Sequence, residues 1–217
     1  MQHLESVLPG SKKGTVAGKG TRRGMRRAAT WSQLSAPAWQ ELRDAWDATP
    51  ERVWIWSDHH LGHANIIKYT DRPFGNAQLM DQALLEAAWT VPSDDWLIFV
   101  GDLAMWMDPE AVHSWVSACP GRKVMVIGNH DCRGKGHPDS VEEWQALGFE
   151  AVADCLALPR QGSGHLWLTH YPLPAEVMPL RTLNVHGHTH THSLDGPFVN
   201  VCVEQVGFAP RKLIDLI

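Results

Sequence analysis

Five short clusters of metal-ligand-type residues punctuate the chain: Asp58-His59-His60, Gly101-Asp102, Gly128-Asn129-His130-Asp131, Thr169-His170, and His186-Gly187-His188-Thr189-His190. Carboxylate, imidazole and amide oxygen suit divalent ions of mixed nitrogen and oxygen preference, and no cluster contains a thiolate. Two such ions roughly 3.5–4 Å apart can clamp a phosphate and activate the water between them. The pair requires a carboxylate that reaches both ions, with imidazoles and terminal oxygens completing each shell. Asp58, His60, Asp102, Asn129, His170, His188 and His190 supply that set. Asp58 and His60 stand at i and i+2, as do His188 and His190, a spacing that puts both members on one face of an extended chain. Gly101, Gly128 and Gly187 directly precede donors, where backbone must approach the ions closely.

The elements that position these clusters are legible as short apolar runs. Val53–Trp56, Trp96–Val100, Val124–Ile127, Leu166–Leu168 and Leu183–Val185 each run into a cluster, and Phe198–Val203 follows as a sixth. They are rich in Val, Ile and Trp and bounded by Gly, Asp or Asn, which are strand signals. In layered α/β folds ligands bind beyond the carboxyl ends of the strands, so the five ends can converge on one crevice. Helices are expected between them. Trp39, Leu42 and Trp46 predict one over residues 37–47. Asn76 caps a periodic stretch, Asp108-Pro109 is an N-cap followed by proline, and Ser140-Val-Glu-Glu143 is a capping box. This alternation predicts an α/β or mixed α+β layered domain, with the tryptophans as core or helix-face packing.

With 217 residues, 44% of them apolar, the chain can bury a sizeable core in one domain, expected over residues 31–217. The net charge of -5 does not mark a general nucleic-acid or membrane binder, and no apolar run is long enough to span a bilayer. The four cysteines are scattered without a C-x-x-C pair, which fits reduced thiols in a cytoplasm. Residues 1–30 differ from the rest: seven Lys or Arg and no acid lie between Lys12 and Arg27. Such a segment cannot bury enough surface to offset its ordering entropy, so it is expected to be a disordered basic tail. A nucleic-acid-binding arm, or a translation start at Met25, are the alternatives.

In order, the motifs D-x-H, G-D, G-N-H-D, H and G-H-x-H resemble those of the calcineurin-like metallophosphoesterase superfamily over about residues 53–205. Gly62-His63-Ala64-Asn65-Ile66-Ile67 followed by Arg72-Pro73-Phe74 is similar to a small bacterial and phage subgroup. The resemblance implies a β-sandwich flanked by helices on both sides, a four-layer αββα fold. It further implies two divalent ions per chain and hydrolysis of a phosphomonoester or phosphodiester by attack of metal-activated hydroxide on phosphorus. Asp58, His60 and His190 would hold the first ion and Asn129, His170 and His188 the second, with Asp102 bridging. His130 would contact the phosphate or protonate the leaving oxygen, and Asp131 would orient His130. The loop after Asp102 departs from the family pattern, continuing as Leu103-Ala104-Met105-Trp106 without a further polar ligand.

The donor chemistry favours Mn, with Fe, Zn, Co or Ni as alternatives. His63 and Asn65 are candidate substrate contacts, and Arg72 is a candidate phosphate clamp because guanidinium forks onto phosphate oxygens. Strand alternation should turn His59, His186 and His192 off the ligand face. Substrate choice is expected in the loops Leu61–Asn76, Met105–Asp108, Cys132–Asp139 and Tyr171–Arg181. A small nucleotide or phosphodiester is the favoured partner. A nuclease using the basic tail is the alternative, and a non-catalytic scaffold a third reading; oligomeric state is not legible.

Overall fold

Among the described residues, nine strands form two sheets. The first contains β1 (Val53–Trp56), β2 (Trp96–Val100), β3 (Arg122–Val126), β4 (Ala151–Ala153) and, after the whole of the second sheet in sequence, β9 (Arg211–Lys212). The second contains β5 (Cys155–Pro159), β6 (His165–Thr169), β7 (Thr182–His186) and β8 (Phe198–Asn200). These come from a computed structural model that describes residues 37–105, 107–131, 138, 140–160 and 162–217. The basic tail expected over residues 1–30 and most of the Cys132–Asp139 loop therefore lie outside the described residues.

The first sheet has the order β4-β3-β2-β1-β9, with β1 to β4 parallel and β9 antiparallel to β1. The second has the order β5-β6-β7-β8, antiparallel at β5 and parallel from β6 to β8. Every residue of β2 is buried, as expected of a central parallel strand covered on both faces. At the edge of the second sheet burial alternates instead. Leu156, Leu158, Leu166 and Leu168 enter the core while Cys155, Pro159 and His165 are exposed. One contiguous apolar cluster joins residues of both sheets.

Helices flank the sheets. Among them α1 (Pro37–Ala48) buries Trp39, Leu42 and Trp46, the face expected from spacing. Its Trp46 indole N–H donates to the Pro159 carbonyl at 2.7 Å, tying the helix to the second sheet. After the short α2 (Ala64–Tyr69) comes α3 (Ala77–Ala88), capped by the Asn76 side chain, which accepts from the Leu79 N–H at 2.9 Å. Asp108 caps α4 (Pro109–Ala118) and Ser140 caps α5 (Val141–Ala146). The fold is thus a mixed α/β structure of two sheets flanked by helices.

The main departures from expectation lie in the second half. The run expected to be a strand through Val203 stops at Asn200, and α6 (Val203–Val206) begins instead. There Cys202 forms an isolated bridge to Ser57 and the Val203 N–H donates to the Ser57 carbonyl at 3.0 Å. Chain from beyond β8 is thereby pinned to chain from beyond β1, joining the two sheets at their carboxyl ends.

Candidate metal centre

Beyond β1 and β2 the strand ladder continues into the loops. Asp58 N–H donates to the Gly101 carbonyl, His60 N–H to Asp102 and Leu61 N–H to Leu103, each at 3.0 Å. The donor residues are therefore held by backbone bonding and not left on free loop tips. The second sheet's ladder continues likewise beyond β6 and β7, where Gly187 N–H donates to the His170 carbonyl at 3.1 Å. Glycine is required at these approaches. A Cβ on Gly101 would lie 2.7 Å from the Gly128 Cα, and one on Gly187 would lie 2.6 Å from the Ser57 hydroxyl.

Asp58, His60, Asp102, His188 and His190 all take φ between 48° and 68°. The i, i+2 argument from an extended chain is corrected here: these pairs are left-handed, a conformation costly for residues with a Cβ and concentrated at functional sites. The local geometry also separates His188 from His190. His188 groups with Asp102 and His170, whereas His190 groups with Asp58 and Cys202.

Distances define one connected cluster. His60 Nε2 lies 3.7 Å from Asp58 Oδ1 and 3.6 Å from Asp102 Oδ2. His190 Nε2 lies 3.8 Å from Asp58 Oδ1. On the other side, His170 Nε2 is 3.4 Å from Asp102 Oδ2 and 3.0 Å from Asn129 Oδ1. One oxygen of Asp102 thus stands between His60 and His170. His130 adjoins the same oxygen, its Nε2 4.0 Å away, with its side chain a third exposed.

The buried donors fit divalent ions. Asp58 Oδ1 and both ring nitrogens of His60 are buried without a hydrogen-bond partner among the described residues. Unpaired buried polar atoms each cost about 1–3 kcal/mol, so a set of them aimed at one space is consistent with cation ligation. The other oxygen of Asp58 is occupied, accepting from Ser57 Oγ at 2.6 Å, the His188 N–H at 2.8 Å and Cys202 Sγ at 3.2 Å. Burial pushes the Cys202 thiol well above its ordinary range, as do the charges of Asp58 and Glu204, keeping it a neutral donor. Burial would raise Asp58, but His60, His170 and His190 outweigh it and hold the carboxylate well below its usual range. For His170, burial works downward, but Asp102 and Asp58 raise it to about 9.

Three residues do something other than their sequence pattern suggested. Arg72 is not a phosphate clamp: its guanidinium is fully buried and its donors are engaged within the protein. It reaches Glu204 Oε1 through Nη2 at 2.7 Å and Nε at 2.9 Å, the Asp58 carbonyl at 2.7 Å and the His59 carbonyl at 2.8 Å. Asp131 holds backbone. Its carboxylate accepts the Asp102 and Gly128 N–H groups at 2.7 Å each and the Leu103 N–H at 2.9 Å. Burial and the Asp102 charge push it up to about 7 despite those donors. Asn65 is exposed in the first turn of α2 and makes no hydrogen bond to the cluster among the described residues. His63 stays close, its ring 5.7 Å from that of His60, with burial and then His60 lowering its pKa.

Glu204 is a residue that sequence reading passed over. The same Oε1 that receives Arg72 lies 3.0 Å from His190 Nδ1. A carboxylate on Nδ1 leaves the lone pair on Nε2, the nitrogen facing Asp58. The signal was absent because Arg72 and Glu204 are 132 residues apart. His59 behaves as alternation predicts, packing edge-on against Trp56 at 4.2 Å, and burial lowers it to about 3. His186 likewise turns away, its Nδ1 at 2.8 Å from the Gly187 carbonyl.

Two sheets flanked by helices, with a buried carboxylate and imidazole cluster at their joined carboxyl ends, are consistent with the metallophosphoesterase fold. The chain belongs to the calcineurin-like phosphoesterase family, whose model matches residues 51–206. It is 29% identical over 176 residues to an uncharacterized protein of Methanocaldococcus jannaschii, covering 76% of this chain and 89% of the relative. It is also 29% identical over 165 residues to the Gene 66 protein of Mycobacterium phage L5, covering 64% of this chain and 77% of the relative. Among solved structures, a protein of unknown function from Aquifex aeolicus matches with a TM-score of 0.56 at 22% identity, covering 76% of this chain and 98% of that one. That last likeness is one of fold.

Proposed function

We propose that this chain is a dinuclear metal-dependent phosphoesterase acting on a small nucleotide or phosphodiester in the cytoplasm. The observation that carries the proposal is the position of Asp102 Oδ2, 3.6 Å from His60 Nε2 and 3.4 Å from His170 Nε2, between two groups of donors. In this reading Asp58, His60 and His190 would hold one ion and Asn129, His170 and His188 the other, with Asp102 available to both. When bound, such a pair supplies positive charge to the phosphoryl oxygens and acidifies water at neutral pH. The nitrogen and oxygen donors favour Mn, then Fe, Zn, Co or Ni. His130 would hold a proton at the rim, a reading supported by its backbone N–H donating to Asp102 Oδ1 at 2.8 Å and its partly exposed ring lying beside the same carboxylate. It serves the phosphate or the leaving oxygen.

The test is metal analysis together with a substrate panel of phosphomonoesters, phosphodiesters, cyclic nucleotides and short nucleic acids on Mn-loaded protein. Two ions per chain and hydrolysis of one class are expected. Full loading with no turnover of any of them would overturn the proposal. In His130→Ala, metal content should persist while kcat falls by about 10²–10⁴-fold, the usual range for loss of a general acid or base. The seven basic residues between Lys12 and Arg27 favour a nuclease as the second reading. Removing residues 1–24 should then weaken nucleic-acid binding and flatten its salt dependence.

A further inference from the structure

The chain contains two tyrosines, both exposed, one beside the donor cluster and one linked to it through His63. Tyr171 is 51% exposed, and its ring lies 4.2 Å from that of His188 and 5.4 Å from that of His170. Tyr69, at the end of α2, is 73% exposed, with its ring 6.2 Å from that of His63, which in turn lies 5.7 Å from His60. One tyrosine therefore adjoins the His170 and His188 side of the cluster, and the other approaches the His60 side through His63. Neither belongs to the buried core cluster, whose aromatic packing comes from tryptophan and phenylalanine. An exposed aromatic ring loses little by waiting in water and gains by covering a planar group, which is why such rings serve as stacking platforms for bases.

We infer that Tyr69 and Tyr171 are specificity-determining residues that stack planar groups on the two arms of a phosphodiester, so that the preferred substrate is a diester carrying a ring on each side, as in a dinucleoside monophosphate. This deepens the proposed phosphoesterase reading and rests on it. A phosphomonoester has one organic arm and leaves one platform unused, whereas a diester has two. In the reaction a water oxygen bonds to phosphorus, the P–O bond to one arm breaks, and the departing oxygen takes a proton. The products are an alcohol and a phosphomonoester, each keeping one planar group. Phenol hydroxyls are not needed for this role, so phenylalanine should serve in place of tyrosine.

The experiment compares kcat/KM for a dinucleoside monophosphate with that for a glycerophosphodiester lacking rings, and measures binding of the dinucleoside by calorimetry. Metal content and melting temperature are recorded for every variant, because Tyr171 neighbours His170. Stacking contributions of the usual size predict that Tyr69→Ala and Tyr171→Ala each lower the ring-bearing to ring-less ratio by about tenfold, mainly through KM, and weaken dinucleoside binding similarly. Tyr69→Phe and Tyr171→Phe should restore both. An unchanged ratio and unchanged binding in fully metal-loaded alanine variants would overturn the inference while leaving the phosphoesterase reading intact. Loss in the phenylalanine variants equal to that in alanine would also overturn it. If the parent protein hydrolyses no phosphoester, the broader reading fails, and the calorimetric comparison still decides whether the tyrosines hold the dinucleoside.

Discussion

The two ends of the donor cluster are braced by different means. At the Asp58 and His190 end the support is a buried side-chain relay: Arg72 to Glu204, Glu204 to His190, with Ser57 and Cys202 on Asp58. At the Asp102 and His170 end the support is mostly backbone. Asp131 gathers three N–H groups, and His170 Nδ1 lies 2.9 Å from the Val100 carbonyl. A relay of ionised side chains is desolvated and depends on every partner, whereas backbone groups come with the strands and cannot be removed by substitution. The first end is therefore more exposed to mutation than the second.

Substitutions at each end can break or sharpen that contrast. Arg72→Ala should have the largest effect on stability, about 3–5 kcal/mol, because it strands a buried Glu204 charge. Urea unfolding of the metal-free protein measures this, and a loss under 1 kcal/mol would remove the relay from the account. Asp131→Asn keeps an oxygen for the Asp102 and Gly128 N–H groups, leaves the Leu103 N–H unpaired, and should cost about 1–3 kcal/mol. If it proved as costly as Arg72→Ala, the two ends would not differ as argued.

Glu204→Gln acts on one end only. Outer partners of a metal-bound histidine are worth about 10–100-fold in affinity. Titration should show one weakened site and one unchanged, and equal weakening of both would contradict the division between His190 and His170. A smaller effect is expected away from both ends, at Asp81, whose carboxylate accepts the Gly62 N–H at 3.0 Å. Burial raises Asp81 above the usual carboxylate range, to about 6. The raised pKa means its neutral form stabilises the fold fully below about pH 4 and that contribution is lost as pH rises through about 6. Asp81→Asn keeps an acceptor and stays neutral. Allowing for solvent screening of a partly exposed group, it should exceed the parent in stability by about 1–2 kcal/mol at pH 7.5 and match it near pH 4 in thermal melts of the metal-free protein.

Much of this was legible in residue order. β1 and β2 begin and end where their apolar runs do, and the Asn76, Asp108 and Ser140 caps sit where local hydrogen-bonding chemistry puts them. β4 and α6 escaped because three or four residues carry too little periodicity to separate a strand from a turn. The i, i+2 argument named suitable donors for an unsuitable reason, since left-handed φ values leave no mark in composition at Asp58 or His190.

Sequence alone determined the donor types, their order, and the strands that end in them, because ligand chemistry and strand propensity are properties of residues and near neighbours. Tertiary structure decided which donors share a group, that Arg72 braces the site from within, and that Asp131 clamps backbone. Those outcomes depend on contacts such as Arg72 to Glu204 and His188 to Asp58, 132 and 130 residues apart, which exist only once the two sheets are joined.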